Sequence, residues 1–236
     1  ISGTRQINDD ALQINTPNPN LKPERSKKVA ASLSYFFGGT GVNNLQVVAS
    51  RNRVTNKTLS QTLTSDEYGN TDPNYVDYEF ISFNSAPLPI TYNSMEYSYQ
   101  QYLNFLPKFM HGTSLTASYT RTYVETPPSQ VILGVIPHTL KGTLGYRNTR
   151  VNFSFSTIWQ DDSGPFQAAN RYQKRNVKCD LSGSITLNER LQLFFSGRNV
   201  FEEPHLLMEK SAGNPDVLFR YENYGTNWTV GIKANF

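Results

Sequence analysis

Three histidines, one cysteine, the acidic pairs Asp66-Glu67 and Asp161-Asp162 and one basic triplet are the places where this chain of 236 residues could do chemistry. His111, His138 and His205 stand far apart, and no two share the i,i+2 or i,i+4 spacing that lets imidazoles hold one metal ion. Local packing is the role expected of them. Cys179 is the single cysteine, which excludes an intrachain disulfide and any multi-cysteine zinc site. Asp66-Glu67 and Asp161-Asp162 gather carboxylates as a hard cation requires, yet both pairs fall in long polar connections where solvation is the simpler reading. No Gly-rich phosphate loop, nucleophile elbow or triad spacing appears. The sequence therefore predicts no enzyme, no catalytic residue, no cofactor and no metal site. Arg171, Lys174 and Arg175 remain as the one basic loop cluster, a candidate for attracting an anionic ligand.

What must position these residues is legible from composition and period. Charge is nearly balanced, with 22 Lys plus Arg against 19 Asp plus Glu. No basic run exceeds Lys27-Lys28, so a nucleic-acid partner is not expected. Charged residues are 17% against about 25% in soluble domains, while aromatics reach 13%. The polarity comes from Ser, Thr, Asn and Gln. No apolar run approaches the ~18 residues of a spanning helix.

Strict alternation fills the gap. Trp228, Val230, Ile232, Ala234 and Phe236 interleave with Asn227, Thr229, Gly231, Lys233 and Asn235, and residues 177–187 alternate without an error. Residues 151–159 repeat the pattern with Ile158 as the exception, and weaker copies occupy 29–35, 45–49, 95–99, 115–119 and 140–146. Connections alternate between short or medium (37–43, 147–149 and 188–190 short, 103–111 medium) and long (55–76, 125–135, 160–172, 202–217). That rhythm requires 78–102 to be one strand interrupted around Pro87 and Pro89. Nine strands result, each near the length of a tilted membrane crossing, with residues 1–23 as an outer loop.

Strands wet on one face and apolar on the other, with short turns at one rim and long loops at the other, describe an all-β transmembrane antiparallel barrel. Single-chain bacterial barrels have an even strand number, so the nine strands are read as an incomplete set. A soluble β-sandwich also alternates, but its inner face would turn toward a second apolar sheet. Lys28, Glu96, Lys141, Lys178, Asp180, Arg198 and Lys233 fall in phase with Ser and Thr and are predicted to face the lumen. Cross-strand pairing such as Asp180 with Arg198 is expected among them. Tyr35, Tyr123, Tyr146, Trp159 and Trp228 read as girdle residues at the lipid headgroups, and Cys179 as a small filler on the lipid side.

Several segments resemble the C-terminal barrel of TonB-dependent outer-membrane receptors. Asn18-Pro19-Asn20-Leu21-Lys22-Pro23-Glu24-Arg25-Ser26 looks like that family's lead into a descending strand. The run from Asn93 through Gln100 is similar to a later strand, with Ser94 where the family usually has Gly. Pro137-His138-Thr139 resembles a strand start, Arg198-Asn199-Val200-Phe201-Glu202 a strand end, and Tyr224-Gly225 with terminal Phe236 the closing segment. Thr226 stands where the family often has Arg.

The resemblance implies a barrel of about 22 strands around an N-terminal plug, of which this chain, residues 1–236, would be the C-terminal part. It implies an outer-membrane location and TonB-energised import of a scarce small ligand, with the TonB complex engaged through a plug region outside these residues. It also implies that Phe236 is an assembly signal presented to the barrel insertion machinery. The rivals are a passive porin-like barrel and a soluble extracellular β-sheet binding module.

Overall fold

A computed structural model describes residues 5–9, 11–38, 43–126, 131–166, 168–211 and 213–234. In chain order the first elements are β1 (Gln6–Asn8), β2 (Gln13–Asn15), β3 (Arg25–Phe37), β4 (Asn43–Thr55), β5 (Thr58–Leu63), a one-turn helix α1 (Ser65–Tyr68), β6 (Glu79–Ser85) and β7 (Ile90–Tyr102). There follow β8 (Thr113–Glu125), β9 (His138–Arg147), β10 (Val151–Gln160), β11 (Pro165–Phe166), β12 (Ala168–Gln173) and β13 (Asn176–Asn188). The chain closes with β14 (Leu191–Arg198), β15 (His205–Glu209), β16 (Val217–Glu222) and β17 (Asn227–Ala234).

Nine of these strands form one sheet in the order β17-β14-β13-β10-β9-β8-β7-β4-β3, the number the alternation predicts. Its registers align like with like. Leu144, Phe155, Leu181, Gly197 and Trp228 follow one another across β9, β10, β13, β14 and β17. One residue along, on the opposite face, run Gly145, Ser154, Ser182, Ser196 and Thr229. A slip of one residue would exchange the two faces, so the hydropathy pattern itself pins the register. Aromatic rings roof two glycines in the apolar rows. A Cβ on Gly183 would lie 2.6 Å from the Phe195 ring, and one on Gly197 2.5 Å from the Trp228 indole. The absent side chains are what let these rings lie flat on the wall.

The tight connections share a device. Asn148 Oδ1 accepts from the backbone N–H groups of Arg150 (2.8 Å) and Val151 (2.7 Å), and Asn188 Oδ1 from that of Arg190 (2.9 Å). A short amide side chain that mimics the backbone turns the chain in two or three residues.

Three of the four long connections carry strands of their own. β5, α1 and β6 lie between β4 and β7, β11 and β12 between β10 and β13, and β15 and β16 between β14 and β17. They make two further sheets, β1-β2-β6-β5 and β11-β12-β15-β16. Residues 78–102 are therefore not one interrupted strand: β6 pairs with β5 and β2, β7 belongs to the nine-stranded wall, and Pro87 and Pro89, which lack backbone donors, fall between them. The predicted alternation survives because β5 and β6 form a complete hairpin inside one connection. Residues 1–23, read from sequence as loop, carry β1 and β2, with β2 parallel to β6.

Two units divide the chain: residues 1–28, 52–92 and 125–130, and residues 29–51, 93–124 and 131–236. In the first, Ile14, Val54, Phe80, Ala86 and Ile90 are buried, and Tyr68 stacks on Phe80 at 4.3 Å. The Asn18-to-Glu24 segment is tied down there: Asn18 Nδ2 donates to the Phe83 carbonyl (2.9 Å), Lys22 N to Ser85 Oγ (3.0 Å), and Glu24 pairs with Lys57 at 3.3 Å. In the second unit only Cys179 and Leu207 are buried apolar residues among those described.

Candidate functional site

The polar face of the wall gathers most of the charged residues expected there. Lys141 on β9 stands opposite Ser118 of β8 and Ile158 of β10, and Ile158 stands opposite Lys178 of β13. Lys233 is paired with Gln192, and Arg198 with Asn227. Glu96, Gln100, Ser118, Lys141 and Gln46 line one groove of about 430 Å³, so an acid and a base predicted from phase alone share a single wet recess. Lys28 lies exposed on β3.

Asp180 and Arg198, both described, form no ion pair. Asp180 Oδ1 accepts instead from the Asn199 backbone N–H at 2.9 Å, a donor that needs no long side chain to be ordered. This capture belongs to a tight turn. Asn199 takes φ +49°, which Asn tolerates better than most residues, and its amide clamps Glu203 through two 3.1 Å bonds.

The β11-β12-β15-β16 sheet holds a second recess, of about 250 Å³, lined by Gln173, His205, Arg220, Glu222, Tyr224 and Phe166, with Leu206 and Leu207 behind. His205 enters from the start of β15, and the other polar groups arrive because β16 and its extension carry Arg220, Glu222 and Tyr224 at every second position. Glu222 Oε1 receives the Arg220 Nε (3.0 Å), and Oε2 the Tyr224 hydroxyl (3.0 Å). That last bond holds the phenol pKa above its ordinary value. The Lys178 ammonium reaches up from β13 and donates to His205 Nε2. On the other side of the ring, Gln173 Nε2 lies 3.1 Å from His205 Nδ1. Burial first, and then the Lys178 charge, push the His205 pKa down, against a weaker upward pull from Glu222. The ring is neutral at pH 7. At 250 Å³ it is below the roughly 300 Å³ of a whole-ligand pocket.

Of the basic cluster, Arg171 is engaged: its Nε meets Glu209 at 3.0 Å and its guanidinium lies 3.5 Å over the Phe219 ring. Lys174 and Arg175 are exposed in the connection between β12 and β13. Nearby, Tyr172 donates to Asp216 at 2.7 Å, a bond that with burial pushes its pKa up to about 12.

The acidic pairs serve the backbone. Asp162 accepts from Arg175 N (2.6 Å) and Glu67 closes a capping box with Thr64. Among the described residues no three His, Cys, Asp or Glu side chains gather as metal ligands. His138 accepts or donates at Tyr119 OH (2.7 Å), and Cys179 donates to Thr157 Oγ1 (3.3 Å). Phe236 lies outside the described residues. The residues that sequence reading passed over are Gln173, Arg220 and Glu222, while His205 was read as local packing and Tyr224 only as part of the closing segment. The i, i+2, i+4 spacing of Arg220, Glu222 and Tyr224 was the available signal that residues 217–224 form a strand rather than a loop.

No protein-family model and no curated protein matches the chain. Solved structures do. A ferric enterobactin receptor variant from Pseudomonas aeruginosa, in complex with enterobactin, aligns with a TM-score of 0.63 at 15% identity, over 95% of this chain and 33% of its own. The pyoverdine outer-membrane receptor FpvA of Pseudomonas aeruginosa PAO1, bound to pyoverdine, aligns with a TM-score of 0.58 at 11% identity, over 92% of this chain and 30% of its own. The chain thus spans about a third of the length of the structures it matches. At these identities the likeness speaks for architecture, and the architecture is that of a stretch of the β-barrel wall of TonB-dependent outer-membrane receptors.

Proposed function

We propose that this chain forms part of an outer-membrane receptor that imports a ferric siderophore by TonB-coupled transport. The observation that carries the reading is a wall with one continuous polar face and one continuous apolar face, whose long connections fold into a polar recess around His205. The solved neighbours are siderophore receptors, which supports the ligand class. In this reading the His205 recess contacts the ligand from outside, with Lys174 and Arg175 adding positive charge. The groove of Glu96 and Lys141 lines the path, with Lys28, Lys178, Asp180, Arg198 and Lys233 hydrating the rest of the lumen. The TonB complex acts through a plug region, and the insertion machinery reads Phe236.

Uptake decides the matter. Iron-starved cells carrying the complete protein should accumulate radioactive iron from at least one siderophore in a panel that includes ferric enterobactin and ferric pyoverdine, and should stop when TonB is deleted. Arg220→Ala should lower affinity for that siderophore about tenfold while leaving the amount of folded protein unchanged. Accumulation that persists without TonB would make the protein a passive channel.

Topology is tested separately. Residues 56–74 and 202–216 are expected at the cell surface, and 38–43 and 188–190 in the periplasm. In a Cys179→Ser background, an impermeant thiol reagent on intact cells should label Asp66→Cys, which is exposed on α1, and spare Glu189→Cys. The reverse pattern overturns the orientation.

A further inference from the structure

Where the wall gives way to the β11-β12-β15-β16 sheet, one side-chain bond joins two strands that do not pair with each other. β13 pairs with β10 and β14, and β15 with β12 and β16. The Lys178 ammonium of β13 nevertheless donates to Nε2 of His205, the first residue of β15. The chain itself passes this bend only through residues 174–175 and 199–204. The bond is a strut across it.

That strut exists in one protonation state. A bare imidazole nitrogen accepts a hydrogen bond, whereas the charged ring is a donor at both nitrogens and would face an ammonium. The surrounding groups are poorly placed to absorb the added charge. Gln173 of β12 lies at Nδ1, Phe166 of β11 lines the same recess, and the Tyr224 ring stands edge-on with its centroid 6.3 Å away. Glu222 of β16 is already engaged by Arg220 Nε and by the Tyr224 hydroxyl, both at 3.0 Å. Asp180, two residues past Lys178 on β13, accepts from Asn199 N (2.9 Å), and Glu203 at the same bend accepts from Val177 N (3.4 Å). Burial and then the Lys178 charge hold the His205 pKa below its ordinary 6.5, so the closed arrangement favours the neutral ring.

We propose that His205 is a proton-operated latch on the recess: neutral, it holds Lys178 and keeps β15 and β16 seated on the wall; protonated from solvent, it repels Lys178 and lets the recess open. The latch regulates the site proposed above for the ligand and rests on that reading. Acid favours release, because a ring freed into water titrates at its ordinary value. The closed-to-open ratio is therefore constant well above pH 6.5 and falls by up to about tenfold for each pH unit below it, until the closed ring is itself protonated.

Leu207 is buried in the recess wall, so a thiol there reports opening. In the complete protein in lipid vesicles, with Cys179→Ser, Leu207→Cys is labelled between pH 8 and pH 5 with dithiodipyridine, which reacts in acid as well as at neutrality. Each rate is divided by that of Asp66→Cys, which is exposed. The ratio should be low and flat above pH 7 and rise about tenfold by pH 5. His205→Gln, whose amide oxygen still accepts from Lys178 but does not titrate, should stay low throughout. Lys178→Met should label faster at pH 8 and gain less in acid, since the cation that opposes protonation is gone. A wild-type ratio without pH dependence, a rise that survives in His205→Gln, or a Lys178→Met profile like that of the wild type would each overturn the latch. Heat-modifiability of every variant separates opening from unfolding. No siderophore enters the measurement, so a failed latch leaves the uptake reading standing, and failed uptake leaves the latch.

Discussion

Gly112→Ala is expected to cost the folded protein about 2–4 kcal/mol, combining left-handed strain of ~1–3 kcal/mol with one lost backbone hydrogen bond of about 1 kcal/mol. Gly112 has φ +99°, and a Cβ there would lie 1.9 Å from the Arg147 carbonyl oxygen. That carbonyl cannot yield alone. Arg147 N donates to the Gly112 carbonyl at 3.0 Å, and in the next pair Thr113 stands opposite Tyr146. A methyl group at Gly112 must therefore spread the ends of β8 and β9. Gly213→Ala is the control, since Gly213 also has positive φ (+76°) but nothing within 4 Å of the added methyl. It should cost only ~1 kcal/mol. Urea unfolding of the complete protein in lipid vesicles measures both, and equal costs would show that β8 and β9 do not approach as described.

The second large effect concerns facing. Leu181→Arg should destabilise the protein by about 2–4 kcal/mol in a bilayer, the cost of a lipid-exposed arginine near mid-depth, whereas the adjacent Ser182→Arg should cost little because its face is wet. Leu181 lies near the middle of β13 between Phe155 and Gly197, and Ser182 between Ser154 and Ser196. Leu193→Arg, on the same face but nearer the short-turn rim, opposite Ile185 and Ile232, should fall between the two. Equal losses at Leu181 and Ser182 would mean that the wall is not bathed by lipid on one side. The gradient from Leu181 to Leu193 separates membrane depth from simple burial.

The wall was legible in the sequence because one of its faces is apolar and the other polar, and period two is the direct record of that. Leu181 and Ser182 could be assigned to faces without knowing any neighbour. Nothing comparable marks the outer strands. In β5 and β12 both faces carry polar residues, and β2 is only three residues long, so Gln13–Asn15 or Thr58–Leu63 looks like the loop it would otherwise be. The His205 recess was hidden for the same reason, and also because its parts come from residues as far apart as Gln173 and Tyr224. Arg171, read from sequence as one of a basic loop cluster, is engaged by Glu209 and Phe219, which stand on other strands. Asp180 went to a backbone donor that charge complementarity does not register.

The scarcity of buried apolar residues in the larger unit, Cys179 and Leu207 among those described, bears on how fast such a sequence can drift. A packed interior constrains each residue by the shape of its neighbours, and even one methylene is felt. Leu144, Phe155, Leu181 and Ile232 face outward, and if what they meet is fluid hydrocarbon, there is no fixed shape to complement. Leucine, isoleucine, valine and phenylalanine can then replace one another at little cost, as Ser, Thr and Asn can on the watered side. The letters of the wall become interchangeable within two classes while the alternation stays compulsory. An identity of 15% beside a TM-score of 0.63 is what a wall written in a two-letter alphabet should show.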